Sequence, residues 1–255
     1  MERPGSFLPP YVSTGPLARW LMPLLLLLAA LSSISAGFEI SELRLLDEIR
    51  GSIAIDEKTN WAYSRTRNIL LATRVVSILA VATLFMGWLH RARVNVRAFG
   101  CRRFHFPRMW AVIGFLVPVF NFFRPYQVLS EVWRASDPRA MGSPVEWKLM
   151  PLSRIVPAWW GMLIASTTLE LIALMLLSDS GESVLRFAAA RGFATFAHFA
   201  STAACILAYL VVSGIGRFQQ TQWAILSHEA EVLSEFSTST PAATVPADAV
   251  TADSI

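Results

Sequence analysis

Charge is what this 255-residue chain has least of: Asp, Glu, Lys and Arg make up 16% of it, while 54% of its residues are apolar. Soluble domains carry about 25% charged residues, so the composition excludes an ordinary water-soluble enzyme of this size. Lysine is confined to Lys58 and Lys148, so the net charge of +4 (22 Lys and Arg against 18 Asp and Glu) is built almost wholly from arginine. Cysteine is limited to Cys101 and Cys205, which excludes a disulfide framework, and neither lies near a metal-ligand cluster. The signatures G-x-x-x-x-G-K-[ST], H-E-x-x-H, G-x-S-x-G and C-x-x-C are missing. The chain is therefore read as non-enzymatic, with no cofactor and no metal site. An intramembrane protease built from Ser166 or Ser201 with His198 lacks a glycine-framed nucleophile.

Long apolar runs are what the chain has in excess. A hydrocarbon core about 30 Å thick needs about 20 mostly apolar helical residues to cross it, and four stretches qualify. Residues 20–37 are uncharged, with Pro23 placed near the expected start, where a missing N–H costs least. Residues 69–89 are apolar apart from Arg74, residues 158–177 carry Glu170, and residues 193–216 carry His198. In lipid every backbone polar group must be satisfied within the segment, so each should be a helix. The first stretch has two readings. Ser33–Ser35 or Ser35–Gly37 could end a cleaved signal peptide, but the 19 residues ahead of the run are long and proline-containing for such a leader. A retained anchor is the preferred reading.

A fifth apolar stretch, residues 109–123, has 15 residues between Arg108 and Arg124, or about 22 Å of helix. Pro118 lies within it and Pro107 and Pro125 bracket it, which breaks helical geometry. It is either a short kinked span or a re-entrant or interfacial element. Charge favours the second. Arg91, Arg93, Arg97, Arg102, Arg103 and Arg108 follow the second span with no acid among them, a positive-inside signal. Residues 37–68 are mixed, the next loop is again basic, and residues 178–183 hold acids only. If residues 109–123 do not cross, both basic loops and both termini are cytoplasmic and the acidic turn lies outside.

The organisation expected is a cytoplasmic segment 1–19, a span at 20–37, an extracytoplasmic amphipathic helix and loop at 38–68, and a membrane bundle at 69–225. A cytoplasmic helix end at 226–236 follows, and residues 237–255 are Ser/Thr/Ala/Pro-rich and expected to be disordered. The amphipathic helix is drawn from Ile40, Leu43, Leu46, Ile49 and Ile53 at helical spacing. The fold class is an all-α polytopic membrane bundle of four spans plus the proline-bounded element. All nine tryptophans fall near segment ends, where headgroup anchoring is the plain expectation.

Several rare residues recur at fixed offsets. Trp88, His90, Arg91 and Asn95 end the second span; Trp110, Ala111, Gly114, Pro118, Asn121 and Pro125 form the proline-bounded stretch; Glu131, Trp133, Ala135 and Ser136 follow, and Val156–Trp160 opens the next span. Over residues 70–225 this resembles the bacterial membrane proteins grouped as domain of unknown function 4328. The resemblance implies a multi-pass membrane protein and brings no activity and no catalytic residue with it.

Arg74, Glu170 and His198 are not part of that pattern. Each costs about 2.5–3.5 kcal/mol at a span centre. With a non-crossing fifth stretch, counting about 1.5 Å per residue puts all three in the outer half of the membrane. Two expectations compete, and the second is the preferred one. In one the three form an outward-facing polar cluster, proton- or ligand-responsive. In the other Arg74 snorkels to headgroups, Glu170 bonds to Ser166 or Thr167, and His198 is a satisfied bundle residue. Asn95 and Asn121 are expected to serve structure first, Asn121 by satisfying backbone groups freed by Pro118 and Pro125. Ala197, Ser201 and Cys205, with Ala200, Ala204 and Ala208, form small-residue strips suited to close helix packing. The basic loop, with Phe99, Phe104 and Phe106 interleaved, is expected to meet anionic lipid headgroups and not nucleic acid. A homo-oligomer or membrane-protein partner is compatible with these features. Function reads first as a membrane scaffold or sensor in a bacterial cytoplasmic membrane, and second as a small transporter or channel subunit using the polar cluster.

Overall fold

A computed structural model describes residues 11–49, 57–105, 122–141, 145–178 and 183–239. Its helices are α1 (Gly15–Ile49), α2 (Glu57–Ala98), α3 (Arg124–Ala135), α4 (Ile155–Ser178) and α5 (Val184–Ser239), with two short 3₁₀ turns, Pro138–Ala140 and Glu146–Leu149, between α3 and α4. Within α1, α2, α4 and α5 the segments Gly15–Leu45, Trp61–Ala98, Ile155–Ser178 and Val184–Leu233 are each long and apolar enough to cross a membrane. No strand occurs among the described residues. The helices overrun the expected spans. α5 has 56 residues, or about 84 Å, far more than a bilayer requires.

α5 is the central element, with α1 and α4 packed along it and α2 packed mainly on α1. The α1–α5 contact is antiparallel, and its chemistry changes layer by layer. At one end Leu21 and Leu25 share an apolar cluster with Val211, Val212 and Ile215. Leu28 and Ala29 then meet Cys205. Further along, Ser32 and Ser201 hydroxyls approach to 3.2 Å, as do Ser33 and Thr202. Ala197, Ala204 and Ala208 are buried on this face, so the small-residue strip is used for close packing within the bundle. At the far end Glu39 and Glu42 meet Arg191.

Several expectations change here. Pro23 lies inside α1, eight residues after its start, and is exposed; the helix begins at Gly15, ahead of the apolar run. Residues 38–49 are no separate surface helix but the continuation of α1. Their inward face is Glu39 and Glu42, while Ile40 and Leu43 are only half-buried; ion pairing with Arg191 and Arg67 overrides the apolar stripe. α2 likewise takes in residues 57–68 and runs on to Ala98, so Arg91, Arg93 and Arg97 are helical. The turn that follows Ala98 contains Gly100, whose φ of 88° is the left-handed geometry that glycine adopts freely.

Tryptophans also depart from expectation. Trp88, Trp133, Trp147 and Trp159 are buried in the protein, whereas Trp20 and Trp61 are exposed. The four buried rings meet where α3 and the 3₁₀ turns close one end of the bundle around Phe85, Leu89, Val128 and Leu129. The same end holds the described residues that flank the fifth stretch. Phe85 of α2 packs against Trp159 of α4 with ring centroids 5.5 Å apart. His105 N–H donates to Glu131 at 3.0 Å and the Trp160 indole donates to the Phe122 carbonyl at 3.1 Å. Residues 105 and 122 are thus both held at this end of the bundle, and the proline-bounded stretch between them, whose non-crossing rests on charge alone, lies outside the described residues. Arg108, Trp110, Pro118 and Asn121 lie outside the described residues, as do the first ten residues and the C-terminal tail from residue 240.

Close approach of α3 depends on Gly214. A Cβ there would lie 2.9 Å from Trp133 Cη2 and 3.0 Å from Cζ3. Gly214→Ala should therefore cost about 1–3 kcal/mol of stability by overpacking, read as a lower melting temperature in detergent. Trimming the ring in Gly214→Ala/Trp133→Leu should make the second change less damaging than it is alone.

Candidate functional site

At the end opposite the tryptophans, four helices contribute seven ionisable side chains to one connected chain. Arg67 Nη1 pairs with Glu42 at 3.0 Å. Glu42 meets Arg191 Nε at 3.2 Å, and Arg191 Nη1 donates to both Glu39 oxygens, at 3.3 and 3.1 Å. Glu39 lies 4.0 Å from His198 Nε2, His198 Nδ1 lies 3.8 Å from Glu170, and Glu170 lies 3.7 Å from Arg74 Nη1. Three arginines thus balance three carboxylates, and His198 sits between the two halves. Burial of isolated charges at this depth costs several kcal/mol each, which pairing offsets in part.

The two halves differ. In one half Arg67–Glu42 and Arg191–Glu39 are hydrogen-bonded at 3.0–3.3 Å, and an ion pair at 3.2 Å joins Arg191 Nε to Glu42 Oε2, neither atom having a hydrogen bond. The half around Glu39, His198, Glu170 and Arg74 is spaced at 3.7–4.0 Å, beyond hydrogen-bond reach. Arg74 Nε and His198 Nδ1 are buried there without a hydrogen-bond partner. The loose half borders a partly open cavity of about 240 Å³, lined by Arg74, Glu170, His198, Arg191 and Glu39 with apolar walls from Leu71 and Leu174.

The structure brings Arg74, Glu170 and His198 together, as the cluster expectation requires. Arg74 is 8% exposed and does not reach outward to snorkel. Ser166 and Thr167 hydroxyls donate to the Leu163 carbonyl and not to Glu170. Arg191, Glu39, Glu42 and Arg67 were not singled out by sequence reasoning. Arg191 falls two residues before the expected span, and the two glutamates fall after one. The available signal was spacing: Glu39 continues the Leu28–Ser32–Ser35 face of α1, and Arg191 precedes His198 by seven residues, two helical turns.

The opposite end holds a second polar network. Asn95 Oδ1 accepts from Val12 N–H at 3.0 Å, and its Nδ2 donates to the Val12 carbonyl and to Gln219 Oε1 at 2.9 and 3.1 Å. Gln219 donates to the Ala92 carbonyl and to Ser136, and Gln222 donates to the Asp137 carbonyl. Asn95 therefore ties three chain segments together, and Gln219 adds a fourth through Ser136, in keeping with a structural role. Of the basic residues read as lipid-facing, Arg97, Arg102 and Arg103 are exposed. Arg93 is not: it is fully buried, paired with Glu131 at 3.2 Å and stacked 3.6 Å over the Phe104 ring. Burial leaves it no route to headgroups, and Glu131 supplies the counter-charge. Arg91 is half-buried. Pro125 is buried in the first turn of α3. Cys101, fully buried, has its thiol pushed up to about 11 by desolvation, which keeps it an inert neutral donor toward the Ala135 and Ala140 carbonyls.

A helical protein with four membrane-capable helices and a buried ionic site near one end is the class that this geometry defines. The chain belongs to the family described as a domain of unknown function (DUF4328), whose model matches residues 52–217. Comparison with curated proteins and with solved structures gave no match. The matched span includes Arg67, Arg74, Asn95, Glu170, Arg191 and His198, whereas Glu39 and Glu42 precede it and Gln219 and Gln222 follow it.

The shared contact predicts that Arg74→Ala and Glu170→Ala each lower stability but are not additive, with a coupling of about 0.5 kcal/mol or more in a double-mutant cycle. Strictly additive losses would separate the two residues. At the other end, the Arg139 side chain bonded to Asp137 holds that carboxyl below its ordinary range. The folded value lies below the unfolded one, so this stabilisation is complete above the unfolded value and is lost as pH falls through the folded one. Asp137→Asn should therefore melt below wild type at neutral pH, and the gap should narrow as pH falls below about 4.

Proposed function

We propose that this chain is a non-enzymatic, multi-pass sensor of the bacterial cytoplasmic membrane, its ionic site facing outward and its tryptophan-rich end in the cytoplasm. The observation that carries the reading is the ionic chain itself. Four helices share it, so a change in the charge or occupancy of its loose half alters the forces on all four. α5 runs from that site, through Arg191 and His198, to the amide network of Gln219 and Gln222 at the other end, and is the natural transmitting element. The orientation rests on the exposed Arg97, Arg102 and Arg103 at the tryptophan-rich end and the positive-inside bias. Those side chains would meet anionic headgroups. The far end of α5, with Leu233 61% exposed, would meet a partner protein or a second copy.

A transporter or channel subunit is the second reading, favoured by ionisable groups at membrane depth. Leu21, Leu25, Phe85, Leu89, Val211 and Val212 fill the bundle between the two polar ends, and a conducting path would have to open that layer. Flux in liposomes that is lost in Glu170→Ala would establish the transporter reading over the sensor.

Two measurements test the sensor. In a Cys101→Ser/Cys205→Ser background, Ser178→Cys should react with an impermeant thiol reagent on intact cells, and Arg102→Cys only after lysis. Both positions are exposed, at opposite ends. Next, a spin label at Ala224→Cys on α5 should change its mobility when Glu170→Ala is added. An unchanged label would show that the ionic site does not communicate with that end.

A further inference from the structure

We infer that the cavity between α2 and α4 is a binding site for an amphipathic monocarboxylate of the fatty-acid type, entering sideways from the lipid phase with its head on Arg74 and His198. The inference rests on the sensor reading and names the ligand class for its site.

Arg74 carries the argument. A guanidinium presents five N–H donors and no acceptor, and buried donors are almost always satisfied. Arg74 is 8% exposed, its Nε is buried without a partner, and its ion-pair contact with Glu170 is 3.7 Å. His198, 3% exposed, likewise leaves Nδ1 unpartnered beside the same cavity. Two buried groups with unused hydrogen-bonding capacity, one of them a fixed cation, are matched by a planar oxyanion that accepts two bonds from the guanidinium fork. Glu170 holds the place such a ligand would take. It is the most exposed member of the loose half, its side chain 34% accessible, and it is not hydrogen-bonded to either neighbour. A ligand carboxylate would displace it toward the mouth.

The walls identify the rest of the molecule. Leu71 and Leu174 line the cavity and are also 52% and 55% exposed, so the mouth lies between α2 and α4 on the lipid-facing side. Exposed Val75, Val76, Leu79, Leu171 and Met175 continue this apolar surface. A head held by Arg74 thus leaves an apolar tail against hydrocarbon, where its burial costs nothing. A short water-soluble acid carries the same head but gains nothing from these walls.

The test uses the full chain reconstituted in phosphatidylcholine vesicles, with palmitic acid bearing a photoactivatable diazirine on its tail. Labelling should concentrate on residues 67–79 and 170–178, be competed by palmitate, and resist hexadecanol and acetate. Loss of a charge-assisted bond should lower it about tenfold in Arg74→Gln, while Glu170→Gln, which removes the competitor, should raise it. Arg74→Lys, which keeps the charge, should fall between, and serves if Arg74→Gln fails to fold. Equal competition by hexadecanol would overturn the carboxylate assignment, as would labelling unchanged in Arg74→Gln or labelling lost only in Glu170→Gln. Competition by acetate as strong as by palmitate would overturn the lipid-phase source. Absent labelling with the Ala224 spin label still responding to Glu170→Ala would remove this ligand and leave the sensor standing. A silent spin label with labelling intact would remove the sensor and leave a binding site.

Discussion

Arg191 sits 6% exposed between two equally buried glutamates of another helix, and much of the architecture depends on keeping those three charges together. Stripping a buried pair of one partner costs about 3–5 kcal/mol, because the charge left behind has no water to replace it. That penalty fixes the register of α1 against α5 more sharply than apolar packing could. Sliding one helix by a turn would leave leucine on leucine acceptable, but would separate Arg191 from both Glu39 and Glu42. The hydroxyl contacts of Ser32 and Ser33 with Ser201 and Thr202 fall into place once that register is set.

The two ends of the bundle use polar groups differently. Around Asn95, Gln219 and Ser136 neutral amides and a hydroxyl meet at 2.9–3.1 Å, and Asn95 and Gln219 use both amide nitrogen and oxygen. Such a network rigidifies. The ionic site joins a closer half, paired at 3.0–3.3 Å, to a second half spaced at 3.7–4.0 Å beside a cavity. Loose spacing around buried charge is costly, because each charge there has given up water without gaining a hydrogen bond. A satisfied amide network and a loosely spaced ionic one thus lie on a single helix, α5.

The span matched by the DUF4328 family model covers part of this arrangement and leaves part outside it. The matched residues, 52–217, include the three arginines and the histidine of the ionic chain but only Glu170 of its carboxylates. Glu39 and Glu42 come from α1, ahead of the match, and this helix both completes the charge balance and covers α5. The first helix is therefore an integral partner of the site.

Length, hydropathy and charge in the sequence alone determined the all-helical class and the four membrane-capable segments, and raised the grouping of Arg74, Glu170 and His198 as one of two readings, between which the structure decided. These are properties of single segments and of depth counted along them, and a 3.6-residue period or a 20-residue run is legible in one dimension. Tertiary structure alone decided which face of each helix turned inward. The stripe of Ile40 and Leu43 reads as the buried one, yet Glu39 and Glu42 are inside, because Arg191 and Arg67 wait there on other helices. Trp88 and Trp159 read as membrane anchors and Arg93 as lipid-facing, yet α3 and the turns after it cover them and supply Glu131. In each case the deciding partner lies tens of residues away, and pairing across that distance depends on how helices cross. No local pattern of side chains encodes that.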